Sequence, residues 1–185
     1  MNEKTPSGNT FLNPENILRK VGVTTGYRVA DLGCGAGYFV LQAARMVGDE
    51  GLVYGVDVLQ GALSSVESKA KLYNLSNIQT VWADLEVYGG ARSIKDQSID
   101  IVLLIQLLFQ VRNRQNVFKE ISRIIKSDGL LAVIEWKKNK LGFGPKETDC
   151  LAKEEVVSMA KTFTFKFKEE IKAGPYHYGL IFERA

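Results

Sequence analysis

Histidine occurs once in this chain, at position 177, and cysteine twice, at positions 34 and 150. Two thiols so far apart make neither a disulfide framework nor a metal knuckle. A reducing cytoplasm is therefore the expected compartment. No apolar run is long enough to cross a bilayer: the longest, "IVLLIQLLFQV", is short and interrupted by two glutamines. The opening "MNEKTPSGNTF" has no apolar core, so no secretory leader is expected there. No repeat and no low-complexity tract occurs. Neither sign of charge dominates. The 24 Lys and Arg stand against 21 Asp and Glu, and a net +3 is too small to demand a nucleic-acid partner. That surplus is local: between Lys137 and Lys172 nine lysines face six acids. The stretch is either a basic docking face or an ordinary solvated surface.

At 185 residues, 45% of them apolar, the chain is sized for one soluble domain with a sizeable core. The first ten residues are polar and expected to be mobile. "NPENILRKVG" predicts a short helix, with Asn13 as cap and Pro14 at its first position. Strands and helices then alternate. "YRVADL", "GLVYGVDV", "NIQTVWAD", "SIDIVLLIQ" and "LLAVIEW" predict five strands. Helical spacing after Gly37, from Ala62 to Tyr73, and from Val117 to Ile125 predicts three helices, the last ended by "SDG". The fourth strand is so apolar that both its faces must be covered. "AKEEVVSMAK" predicts one more helix. The tail differs: "TFTFKFKEEI" alternates Phe with polar residues, and "YHYGLIFE" follows with no helix between. The expected fold is a doubly wound α/β sheet of seven strands, mostly parallel, with a C-terminal antiparallel hairpin and helices on both faces. Such sheets bind ligands beyond the carboxyl ends of their strands.

One stretch carries the chemistry. "VADLGCGAGYF", Val29 to Phe39, places Gly33, Gly35 and Gly37 at the first strand-to-helix turn. Glycine there permits a positive φ and removes the Cβ that would block a ligand. A tight turn alone is one reading. A dinucleotide site wants G-x-G-x-x-G, with the pyrophosphate at the helix N-terminus. Here the third glycine comes one position early and Tyr38 stands in its place. A Walker A loop needs G-K-[ST], and the chain has none. Asp31, beside the loop, would repel a pyrophosphate. It would favour a cation, such as the amino group and sulfonium of S-adenosyl-L-methionine (SAM).

On these residues the chain resembles the class I SAM-dependent methyltransferases, whose first motif it matches almost in full. The resemblance runs from about Phe11 to Ala185. It implies a single Rossmann-like domain binding SAM over Asp31, Gly33, Cys34, Gly35 and Gly37, with residues 11–25 as an N-terminal helix and lid. "VYGVDV" resembles the second motif, whose acid, here Asp57, grips both ribose hydroxyls, with Val58 beside it. Asp57 lies 20 residues after Gly37, the spacing of a ribose-binding acid in a βαβ unit. "VWADLE" resembles the third motif: Asp84 would accept from the adenine amine, and the Leu85 N–H would reach the ring, with Ala83 alongside. "SIDIVLLIQLLFQV" resembles the fourth, and places Gln106 beside the methionine part. Asp57 and Asp84 also fit helix-cap or loop roles. Asp100 reads as structural, and Cys34 as a small space-filler whose backbone N–H faces the cofactor. Order and spacing are similar to the small proteins related to ubiquinone, menaquinone and arsenite methyltransferases. "LLFQV", "AVIEWKK" and "AGPYHYGLIFE" resemble stand-alone prokaryotic members of that group.

SAM carries a methyl already activated by a positive sulfur. In-line transfer then needs alignment and exclusion of water, which supply roughly 7–11 kcal/mol of the barrier. A general base helps only where the nucleophile starts protonated. No N-P-P-Y follows the fourth strand, which argues against an exocyclic base amine. Cys150 alone cannot hold arsenite. A small-molecule acceptor is the expectation. An rRNA or protein acceptor, docked on the basic segment from Trp136 to Lys146, comes second, and a SAM-binding module without catalysis third. The lid is expected from the N-terminal helix, Phe109 to Arg114, and the loop Lys137 to Cys150. His177 is a candidate general base or substrate ligand, or else a strand-end residue bonded to a turn. Glu135 is a candidate base or amine ligand, or else is held by Lys137. Tyr176 lies near the same face, and Trp136 and Phe11 pack on the ligand or in the core. Phe163, Phe165 and Phe167 fall on an expected edge strand, so the chain is expected as a monomer or homodimer.

Overall fold

Short runs rich in Val, Ile and Leu build the centre of one sheet in the computed structural model, which describes residues 12–138 and 143–185. The strands are β1 (Arg28–Leu32), β2 (Leu52–Asp57), β3 (Ile78–Trp82), β4 (Ile99–Ile105), β5 (Ile125–Trp136), β6 (Phe165–Lys172) and β7 (His177–Arg184). The helices are α1 (Pro14–Val21), α2 (Tyr38–Val47), α3 (Gln60–Leu72), α4 (Arg114–Ile124) and α5 (Lys153–Thr162). The sheet order is β3-β2-β1-β4-β5-β7-β6. β1 to β5 pair in parallel, whereas β7 runs antiparallel to both β5 and β6.

Successive residues along the inner strands feed opposite cores. On one face Val29, Val53, Ile101 and Leu103 pack against α1, α2 and α3. On the other, Leu32, Val56, Val102 and Leu104 pack against α4 and α5. With helices on both faces, the strands can be apolar at nearly every position. α1 starts as the residue types dictate: the Asn13 side chain accepts from the Asn16 N–H at 2.9 Å and Pro14 occupies the first turn.

Two local expectations are corrected. "SDG" does not end α4. The helix stops at Ile124, and Ile125 is already extended. Ser127 to Gly129 lie within β5, where the pairing jumps from Ile99–Ile125 to Ile101–Leu130. Gly129 serves that irregularity, because a Cβ there would sit 3.1 Å from the carbonyl oxygens of Ile99 and Asp100. Nor do the three phenylalanines line one strand. Phe163 caps α5 and stacks on Phe118 at 5.5 Å. Phe165 is buried, and Phe167 sits half-exposed against Phe182 where the β6–β7 register slips.

Asp100 stays far from the strand ends that matter. It accepts from the Arg28 N–H at 2.8 Å and pairs with Lys126. The predicted mobile residues 1–10, Phe11, and residues 139–142 of the predicted lid loop lie outside the described residues.

Candidate active site

The turn between β1 and α2 is built from alternating left-handed glycines. Gly33, Gly35 and Gly37 have φ of +78°, +50° and +85°. Each has its own reason to lack a Cβ. At Gly33 the added atom would lie 2.7 Å from Leu107 Cδ1, and at Gly37 2.8 Å from Val66 Cγ2. At Gly35 it would meet nothing within 4 Å. Two of these positions are therefore about packing, and the third faces open space. The loop is tied to β2: the Gly33 and Cys34 amides donate to the Val56 carbonyl at 2.8 and 3.0 Å.

The open space is the floor of a cleft of about 350 Å³. Asp57, at the end of β2, lines it. Its Oδ2 accepts from the Gly35 N–H and its Oδ1 from the Leu59 N–H, each at 2.9 Å. Val58, Ala83, Asp84 and Leu85 line the same cleft. The Asp84 Oδ1 accepts from the Glu86 N–H at 2.8 Å, a local turn that fixes its carboxylate. Beneath the loop lies Asp31, 2% exposed, whose Oδ1 has no hydrogen-bond partner among the described residues. Burial, and then the charge of Asp57, push its pKa up from 3.8 to about 7. A buried carboxylate oxygen without a donor is an unmet demand for one. Cys34 is buried, and burial pushes its thiol far up, so it stays protonated.

The remaining expected residues form a second group. Gln106 follows β4 with φ +54°, and its side-chain nitrogen lies 2.6 Å from His177 Nε2. His177 is 1% exposed, beside the Trp136 ring at 4.2 Å. Trp136, Phe143 and Tyr176 join edge to face, so Tyr176 lies on this side as expected. Glu135 is 1% exposed and is not held by Lys137. Its Oε1 accepts from the Leu108 N–H at 2.7 Å, while Lys137 Nζ donates to the Pro175 carbonyl at 3.0 Å. Burial pushes the Glu135 pKa up to about 7, against backbone amides of Leu108, Trp136 and Phe109 that lower it. In this arrangement His177 reaches the strand ends through Gln106, and Glu135 turns toward a loop, not toward the cleft.

Sequence reasoning missed three walls of the cleft, Leu59, Glu86 and Leu107, whereas Gln110 and Val111 fall within the expected lid segment Phe109 to Arg114. Leu107 sits in the "QLLFQV" run just before that segment, which was expected to begin only at Phe109. Glu86 carried no signal of its own; its Oε2 accepts from the Arg112 and Asn113 amides at 2.9 and 2.6 Å, bridging the cleft walls.

Comparison with known proteins follows the same outline. A family model described as a methyltransferase domain matches residues 24–178. A demethylmenaquinone methyltransferase of Geobacillus kaustophilus is 31% identical over 123 residues, 65% of this chain and 50% of that protein. Another, of Lactobacillus johnsonii, is 33% identical over 122 residues, 65% of this chain and 48% of that one. The chain thus spans about half the length of the curated relatives it matches. A crystal structure of a SAM-dependent methyltransferase from Aquifex aeolicus superposes with a TM-score of 0.87 over 96% of this chain and 93% of that one, at 24% identity. The superposition carries the fold, and the family match takes in β1 to β5 with the glycine loop and the cleft beyond them. The chain belongs to the methyltransferase-domain family, in its class I, Rossmann-like group.

Proposed function

We propose that the cleft binds SAM and that the chain transfers its methyl group to a small-molecule acceptor. When bound, SAM supplies a methyl on a positively charged sulfur. The observation that carries the reading is Asp31, whose buried carboxylate oxygen has no partner among the described residues and which lies two residues before the Gly33–Gly37 loop, where Gly35 faces open space. An ammonium meets that demand as a donor and a sulfonium offsets the charge without donating; a diphosphate would add repulsion from Asp31 and Asp57 together. Asp57 would accept the ribose hydroxyls and Asp84 the adenine amine, with the Leu85 N–H on the ring. Gly35 leaves room for backbone contact. Leu107 and Val111 wall the cleft with apolar surface and exclude water. The Tyr38 hydroxyl donates to the Leu12 carbonyl at 3.0 Å and so holds the start of α1 beside the glycine loop, where residues 11–25 would serve as a lid.

The acceptor would lie at the ends of β4, β5 and β7, near Gln106, Trp136 and Tyr176. The two relatives named above act, by name, on demethylmenaquinone, which favours a small organic acceptor here. Melting the protein with SAM, S-adenosylhomocysteine and NAD tests the cofactor. Stabilisation of about 2.7 kcal/mol is expected at a hundredfold excess of SAM over its Kd. A shift with NAD and none with SAM would refute the reading. A panel of metabolites and RNAs with a tritiated methyl donor tests the acceptor; label entering RNA alone would move it to a nucleic acid.

A further inference from the structure

We propose that Glu135 is a positioning residue: with Arg114 it grips the backbone N–H and C=O of Leu108 and so sets the segment from Leu107 to Val111 against the glycine loop. The proposal deepens the reading of the cleft as a SAM site and rests on it. Glu135 Oε1 accepts from the Leu108 N–H, and Arg114 Nε donates to the Leu108 carbonyl, both at 2.7 Å. The chain enters this peptide through Gln106 at φ +54°, a conformation that persists only where surroundings enforce it. Gln110 Nε2 donates back to the Gln106 carbonyl at 2.6 Å and closes the turn. The consequence lies one residue earlier. Leu107 is so close to the loop that any Cβ at Gly33 would strike it. Leu107, Gln110 and Val111 then form one wall of the cleft.

Fixing this wall needs no buried charge for stability's sake. A fully desolvated carboxylate is weak support for a fold, and apolar residues of similar volume often serve as well. What a carboxylate adds is direction: it holds an amide at short range and fixed angle. The Leu108 side chain is itself fully buried, so the peptide cannot slide without displacing it.

The experiment compares Glu135→Met and Arg114→Met, which remove the acceptor and the donor, with Phe182→Leu, a core change in β7 far from this loop. In the ligand-free protein, amide exchange at Leu108 is expected to be slow, and to quicken about tenfold or more in the first two variants as one hydrogen bond is lost. Their Kd for S-adenosylhomocysteine, by calorimetry, is expected to rise about tenfold on the same grounds. Phe182→Leu should lower the melting temperature and leave that Kd unchanged. Lower melting in all three variants with unchanged Kd would make Glu135 merely structural and overturn the proposal. Should Glu135→Met fail to fold, Arg114→Met, at a partly exposed guanidinium, decides the matter alone. If the wild-type protein binds no S-adenosylhomocysteine, the proposed function fails. The clamp is then judged on exchange, and Leu108 unprotected in the wild type, or equally protected in the variants, overturns it.

Discussion

Asp57 holds two backbone amides, Gly35 and Leu59, on one carboxylate. That pairing aims the side chain at the cleft before any ligand arrives. Asp57→Ala should abolish detectable S-adenosylhomocysteine binding in calorimetry while far-UV circular dichroism stays native; retained affinity would remove its ribose role. Asp31 behaves differently. Its pKa rises from 3.8 to about 7 on folding, so between those values the folded chain holds more protons than the unfolded one. Stability therefore falls as pH rises through this window, by an amount on the order of a few kcal/mol. Asp31→Asn should melt higher than wild type at pH 8, match it near pH 4, and bind S-adenosylhomocysteine more weakly at both. An unchanged melting difference across pH would show that Asp31 does not titrate in this range. The sequence made the charge preference of this residue legible. It did not reveal the missing partner, because a lone acid after a strand can equally meet a donor from a neighbouring element. His177 shows the same gap: its residue type suggested a base, and only the fold brings Gln106 from 71 positions away to its ring.

The elements were legible wherever periodicity and caps agreed. Asn13-Pro14 announced α1, and the apolar runs announced β1 to β5. The misread helix end shows why the rest was not. Gly129 looks like a helix stop in sequence, but its small size is needed against the carbonyls at β4. The segment between β3 and β4 carried little periodic signal and is held by one buried network. Glu120, fully buried on α4, accepts from the Gly89 N–H at 2.9 Å and pairs with Arg123. Arg123 in turn donates to the carbonyls of Ala91 and Ile94 at 3.1 and 2.8 Å. Glu120→Ala removes the buried partner of Arg123, which keeps its exposed pair with Asp96, and leaves the Gly89 N–H without its acceptor; urea unfolding should show a loss of about 1–3 kcal/mol. A loss below about 1 kcal/mol would mean that solvent reaches Arg123 and makes the pair a surface one.

For the molecule as a whole, the charge surplus noted in sequence falls partly on a sheet edge. β6 borders solvent, and Lys166, Lys168 and Lys172 stand exposed along it against Glu169 and Glu170. Charged edge strands resist pairing with another sheet. Light scattering should accordingly give a mass near the 20.6 kDa of a single chain, despite half-exposed Phe167. A mass of twice that value would make the edge an interface. The proposed acceptor face was legible in outline, since the strand ends and the final hairpin were expected to bring Gln106, Trp136 and His177 to one side, but their contacts were not, because they form only once β7 is in place.

That placement also orders events during synthesis. β7 emerges from the ribosome after β6 but must slot between β6 and β5. Until Arg184 has cleared the exit tunnel, β6 has no hydrogen-bonding neighbour and one flank of β5 is bare. The nascent chain therefore carries a parallel half-sheet with a sticky border, and chaperones or neighbouring nascent copies have their opportunity at that stage.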